Sequence, residues 1–76
     1  MSTKDKPAFE KRLNHIRVTV WENQSEGKPW FNTVITRRYQ DGTEYKDTNT
    51  FNGLADLALV AEAVSLARDF IRQREG

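Results

Sequence analysis

No cysteine occurs in these 76 residues, and there is one histidine, His15. The first absence excludes disulfides and thiolate metal ligands, and the second excludes a histidine-built zinc site, so neither staple common in small domains is available. No run approaches the roughly 18 apolar residues of a membrane span, and Met1 to Arg12 lacks the apolar stretch of a signal peptide. The expectation is a soluble, cytoplasmic protein with no membrane partner. Asn23-Gln24-Ser25 matches a glycosylation acceptor, which means little in a chain without a secretion signal. A chain this short forms one domain with a small core, and oligomerisation is its expected support.

The groups needed for catalysis are also scarce. An active site calls for a nucleophile with its base, a carboxylate pair or a metal, set in a concave pocket. Here there is no Gly-rich phosphate loop, and Asp41, Glu44 and Asp47 lack the spacing of a calcium loop; their expected role is to keep a hairpin soluble. The sequence points away from an enzyme and implies no cofactor and no metal.

The net charge of +1 conceals an uneven distribution. Residues 1–21 carry five basic and two acidic groups, residues 22–52 four and five, and residues 53–76 three and four. That balance does not announce nucleic-acid binding by itself, so the direction in which the charges point decides.

Along the chain, Met1 to Lys11 is polar, charged and interrupted by Pro7, which reads as a flexible arm over residues 1–11. Residues 12–76 read as the domain. From Arg12 to Trp21 the pattern alternates, with Ile16, Val18 and Val20 on one side and Arg17, Thr19 and Trp21 on the other, the period of a half-buried strand. Glu22 to Pro29 is a turn cluster, Trp30 to Tyr39 a second strand, Gln40-Asp41-Gly42 a tight hairpin and Glu44 to Phe51 a third strand.

The segment from Asn52 to Arg74 has helical period. Leu57, Val60, Val64, Ala67 and Ile71 form one stripe, and Leu59, Ala63, Leu66 and Phe70 form another beside it. The apolar arc spans roughly 160°, wider than the approximately 100° needed to cover one sheet face. Asn52 is the expected N-cap; Asp56 in the first turn and Arg72 and Arg74 in the last suit the helix dipole. The fold class is therefore α+β, a three-stranded antiparallel meander followed by one long C-terminal helix (βββα). The surplus apolar stripe predicts a homodimer with Leu59, Ala63, Leu66 and Phe70 at its interface.

One helix covers one side of such a sheet. With Ile16, Val18, Val20, Phe31, Thr33 and Ile35 turned to the helix, the other side presents Arg17, Thr19, Trp21, Trp30, Asn32, Val34, Thr36 and Arg38. The third strand is expected to add Lys46, Thr48 and Thr50. Val34 and Ile35 are adjacent and both apolar, so a one-residue slip would exchange Arg38 for Arg37 and Tyr39. The surface combines cations, indoles and small hydrogen-bonding side chains with few acids. Arg17, Arg38 and Lys46 suit phosphates, and Trp21 and Trp30 offer planes on which unpaired bases stack for about 1–3 kcal/mol each. A tryptophan at a strand end also commonly seals a core or a dimer seam.

At Val34-Ile35-Thr36-Arg37-Arg38-Tyr39, followed by Asp41-Gly42 and Glu44, the chain resembles the strand and hairpin of the positive cofactor 4 family of transcriptional coactivators and the related whirly proteins. Those are short sheet-then-helix units that dimerise and bind single-stranded DNA. The resemblance covers about residues 30–72 and implies that Arg37 and Tyr39 lie on the sheet near DNA and that the terminal helix belongs to the dimer core. The family uses four strands before its helix, which would require Met1 to Lys11 to supply one.

Three functions follow as expectations. The favoured one is a homodimeric single-stranded DNA or RNA binder using Arg17, Trp21, Trp30, Arg37, Arg38, Tyr39 and Lys46. The alternatives are a duplex-DNA regulator that inserts the same sheet into a groove, and a protein-interaction module that docks the second helical stripe on a different partner.

Overall fold

The computed structural model describes residues 6–75. Among these residues, four strands, β1 (Phe9–Leu13), β2 (Ile16–Ser25), β3 (Lys28–Asp41) and β4 (Glu44–Thr48), precede one helix, α1 (Gly53–Glu75). The strands form a single antiparallel sheet in the order β1-β2-β3-β4. The fold is α+β with a C-terminal helix, and its sheet has four strands rather than the expected three. The extra one, β1, takes in Phe9 to Lys11, which composition assigned to the arm; residues 1–5 of that arm lie outside the described residues.

A concealed turn explains the difference. Leu13 pairs with Ile16, so Asn14 and His15 alone reverse the chain. Asn14 has φ 62, a left-handed conformation that asparagine tolerates because its short side chain can bond locally. Neither Gly nor Pro marks the reversal; its trace is a change of parity, Leu13 and Ile16 lying on one face though three positions apart, and Arg12 to Trp21 taken as one strand passes over it. Pro7 precedes β1 and removes no ladder bond.

The next turn is tighter than the polar cluster suggests. Glu26 and Gly27, at φ 55 and 85, form the two-residue reversal whose twist suits a hairpin. Asn23 and Pro29 are therefore strand residues. The backbone N–H of Arg38 donates to the His15 carbonyl at 2.8 Å, and bonded positions alternate along an antiparallel pair. Thr36, Val34, Asn32 and Trp30 accordingly turn their backbone groups toward β2, whereas Ile35, Thr33, Phe31 and Pro29 turn theirs away. Pro29 thus sits where its missing N–H costs no bond to β2.

β4 pairs only with the end of β3, from Arg37 to Asp41. Among the described residues, the outward backbone groups of Phe31, Thr33 and Ile35 have no strand partner. The run 29–36 along this bare edge carries no charge.

The core lies between β2 and α1. Ile16, Val18 and Val20 are fully buried and meet Ala63 and Ala67, whose small side chains let the helix lie close to the strand. Burying each branched side chain stabilises by roughly 1.5–3 kcal/mol. At one end Phe70 stacks on Phe9 at 5.0 Å and meets Phe31 edge-on at 6.2 Å. Arg74 lies 2.9 Å from Glu22 near the end of β2, while Asp56 reaches His15 beside its start, so α1 runs parallel to β2.

The helix divides its apolar arc differently from the two expected stripes. Its inward axis falls between them, so each gives one buried alanine to the intramolecular core. Ala63, expected in a dimer seam, lies on its own sheet, and Phe70 is occupied by Phe9 and Phe31. Leu59 and Leu66 are half-buried. The large exposed apolar residues of α1 are instead Leu54, Leu57 and Val64, at 85%, 51% and 40% exposure.

Candidate nucleic-acid interface

Because Ile16, Val18 and Val20 point to α1, their neighbours Arg17, Thr19 and Trp21 point to the opposite, uncovered face. Residues directly across an antiparallel pair share a face, which brings Thr36, Val34 and Asn32 beside them and sets Trp30 opposite Asn23. β1 adds Glu10, opposite Thr19, and Arg12, opposite Arg17. At the far side Arg38 lies across from Asp47 and Gln40 across from Tyr45.

Of the expected binding residues, four lie on this face: Arg17, Trp21, Trp30 and Arg38. Trp21 and Trp30 are diagonal neighbours toward the β2–β3 hairpin tip, the first half-buried and the second 47% exposed. The side-chain nitrogen of Asn23 beside them is buried with no hydrogen-bond partner.

Arg37, Tyr39 and Lys46 lie on the helix side. Arg37 Nε donates to the Thr50 carbonyl at 2.8 Å, and its guanidinium lies 5.6 Å from the Tyr39 ring centre. Lys46 is across from Tyr39 and 3.0 Å from an Asp41 carboxylate oxygen. The Gly42 turn sets Glu44 opposite Asp41, so Lys46 and Thr48 share the face of Tyr39 and Arg37, and β4 presents Tyr45 and Asp47 outward instead. This register reverses the outward placement expected for Lys46 and Thr48. Arg12, Tyr45, Asp47 and Glu10 were missed. The concealed Asn14-His15 turn hid the first and last, and the reversed β4 register hid the other two.

The open face has two unlike ends. Toward the hairpin tip it is aromatic and amide-rich. At the other end Arg17 lies 3.6 Å from Glu10 and 3.4 Å from Asp47, and Arg38 lies 3.6 Å from the second Asp47 oxygen. The Arg38 guanidinium also sits 5.9 Å from the Tyr45 ring centre. All these groups are substantially solvated, so each pair contributes no more than about 1 kcal/mol and leaves the guanidiniums open to exchange. Asp47 and Glu10 make this end less uniformly cationic than the sequence suggested. A cavity of about 290 Å³ opens here, lined in part by Arg12, Asn14, Arg17, Arg38, Tyr45 and Asp47.

A separate cluster fastens the helix. Asp56, 6% exposed, accepts the Asn52 backbone N–H at 2.8 Å and lies 2.6 Å from His15 Nε2 and 3.6 Å from Arg37 Nε. The Asn52 hydrogen bond foremost, then the His15 hydrogen bond and the nearby charges of His15 and Arg37, hold its carboxyl below the ordinary 3.8 despite partial desolvation. The helix start is thus secured by Asp56 reaching back to the Asn52 backbone N–H, and not through the Asn52 side chain expected as N-cap. Among the described residues, no three His, Cys, Asp or Glu side chains are placed to share a metal ion, and no helix is long and apolar enough to cross a membrane.

No protein-family model matches this chain, and no curated protein or solved structure matches it significantly. The residues of the open face therefore carry the functional reading by themselves.

Proposed function

We propose that the protein binds single-stranded nucleic acid on the uncovered face of its sheet, without catalysing a reaction, and does so as a homodimer. The observation that carries this reading is the co-location of Trp21 and Trp30 with Arg12, Arg17 and Arg38 on one face that α1 leaves open. Unpaired bases stack on indole rings irrespective of sequence, and guanidiniums partly held by Asp47 and Glu10 can exchange those carboxylates for phosphate oxygens. A strand lying along the face would meet the aromatic end and the cationic end together.

Two features support self-association. The bare, uncharged edge of β3 exposes the backbone groups of Phe31, Thr33 and Ile35, the kind of edge that soluble proteins ordinarily cover or charge. On α1, Leu57 and Val64 stand half-exposed beside the core. A second copy covering either surface would supplement a core that holds, among the described residues, five buried apolar side chains.

Titration of a labelled, unstructured oligonucleotide at low ionic strength, with duplex as competitor, tests the binding reading. Saturable binding that resists duplex competition supports it. Preferential displacement by duplex would instead favour a groove reader with base preference through Arg and Asn side chains.

A further inference from the structure

We propose that the cavity at the guanidinium end of the open face is a site for the phosphomonoester group of a nucleotide, with the Tyr45 ring as the surface against which the base rests. This rests on the single-strand reading for its most natural source, the phosphorylated end of a strand, but the chemistry is that of any nucleotide carrying a terminal phosphate.

Three arginines line this one cavity from separate strands: Arg12 from β1, Arg17 from β2 and Arg38 from β3. Convergence on a single space is what distinguishes the cavity from the rest of the face, which is aromatic and amide-rich toward the hairpin tip. A phosphomonoester carries about −1.5 to −2 charge with three terminal oxygens, against −1 and two oxygens for the diester within a strand, so it gains more from three guanidiniums. The lining also includes Asn14, whose amide is of the type that donates to phosphate oxygens, and Gln40, whose amide nitrogen donates to the Gly42 carbonyl at 3.1 Å.

An anion already occupies part of this space. Asp47 places one oxygen 3.4 Å from Arg17 and the other 3.6 Å from Arg38, aiming both guanidiniums into the cavity in the manner of a weakly bound anion. Glu10, which does not line the cavity, holds Arg17 at 3.6 Å from the β1 side. These distances are long for charge-assisted hydrogen bonds, which run nearer 2.7–2.9 Å in general, so the internal carboxylates are loose partners that phosphate oxygens can replace. Tyr45, 65% exposed and flanked by the Arg38 guanidinium, leaves a ring face available to a base.

The test compares one unstructured oligonucleotide in unmodified, 5′-phosphorylated and 3′-phosphorylated forms, alongside a nucleoside monophosphate followed through the arginine side-chain NMR signals. The expected result is that a phosphorylated end tightens binding about tenfold, and that Arg12→Gln abolishes the difference. Asp47→Asn, which removes the competing anion, should increase the preference, whereas a merely structural Asp47 would lower it. Shifts of Arg12, Arg17 and Arg38 with the monophosphate, without preference for a phosphorylated strand, identify a free nucleotide as the source. Equal binding of all three oligonucleotides together with unshifted arginine signals overturns the proposal, as does a preference that survives Arg12→Gln. If no oligonucleotide binds in any form, the single-strand reading falls, and the monophosphate titration alone decides the cavity.

Discussion

His15 Nε2 stands 2.6 Å from Asp56 Oδ1, tying the β1–β2 turn to the first turn of α1 across 41 positions of sequence. The same carboxylate holds the Asn52 N–H and faces Arg37, so one residue joins the helix start to the β1–β2 turn and to β3. Asp56 is thereby a positioning device for the helix and, through it, for the face the helix leaves open.

Acid sensitivity follows from its lowered pKa. A carboxylate whose folded pKa lies below the unfolded one contributes stability that is fully present above the ordinary value near 3.8 and is lost as pH falls through the folded value. Asp56→Asn should lower the melting temperature at pH 7 and flatten the acid limb of a plot of melting temperature against pH below about 4. An unchanged acid limb in the variant would exclude Asp56 as its source.

Arg37 and Arg38 are adjacent but sit on opposite faces, so their substitutions should separate. Arg37→Gln loses the bond to the Thr50 carbonyl and the charge facing Asp56, and should destabilise the fold by about 1–3 kcal/mol while leaving oligonucleotide affinity nearly unchanged in the folded fraction. Arg38→Gln, its partner Asp47 being exposed, should melt within about 0.5 kcal/mol of the parent and bind several-fold more weakly. Thermal melts and anisotropy titrations of the two variants check the pair.

Trp30 offers the more exposed indole of the open face. Trp30→Ala should reduce single-strand affinity by about 1–3 kcal/mol, and oligonucleotide addition should quench tryptophan emission in the parent more than in this variant. Equal quenching in both proteins would place the strand elsewhere.

The helix supports a contrast between its inner and outer faces. Ala63 is fully buried against its own sheet, so Ala63→Leu should overpack the core and cost about 1–3 kcal/mol whatever the protein concentration. Leu57 is half-exposed, and Leu57→Glu should leave the subunit folded while lowering the solution mass of an assembly that uses this stripe. Sedimentation combined with melts at two concentrations distinguishes the two effects.

How legible the fold was depended on where turn chemistry was explicit. The Gly42 hairpin and the α1 period are written in residue types with few alternatives, and alternation from Ile16 to Val20 correctly named the buried strand face. The Asn14-His15 turn was hard to see because an asparagine in a left-handed conformation looks like any polar strand residue and the parity change from Leu13 to Ile16 is a single step, and β1 disappeared with it. The bare edge of β3 depends on β4 stopping at Thr48, a tertiary outcome with no local signal. On the candidate face, β2 and β3 positions followed from period two, whereas Arg12 required β1 and Tyr45 required the register set by the Gly42 turn. Apolar excess on α1 was visible, but its division was not: two buried alanines draw the helix inward along an axis that neither stripe alone defines.

The salt dependence of oligonucleotide binding tests the central claim most directly. With Arg12, Arg17 and Arg38 each displacing a counterion from a single strand, the logarithm of the association constant should fall against the logarithm of salt with a slope of about −2, and Arg38→Gln should reduce that slope by about 0.7. A chain that binds no single strand even at the lowest salt, or whose slope is unchanged in Arg38→Gln, would contradict the account.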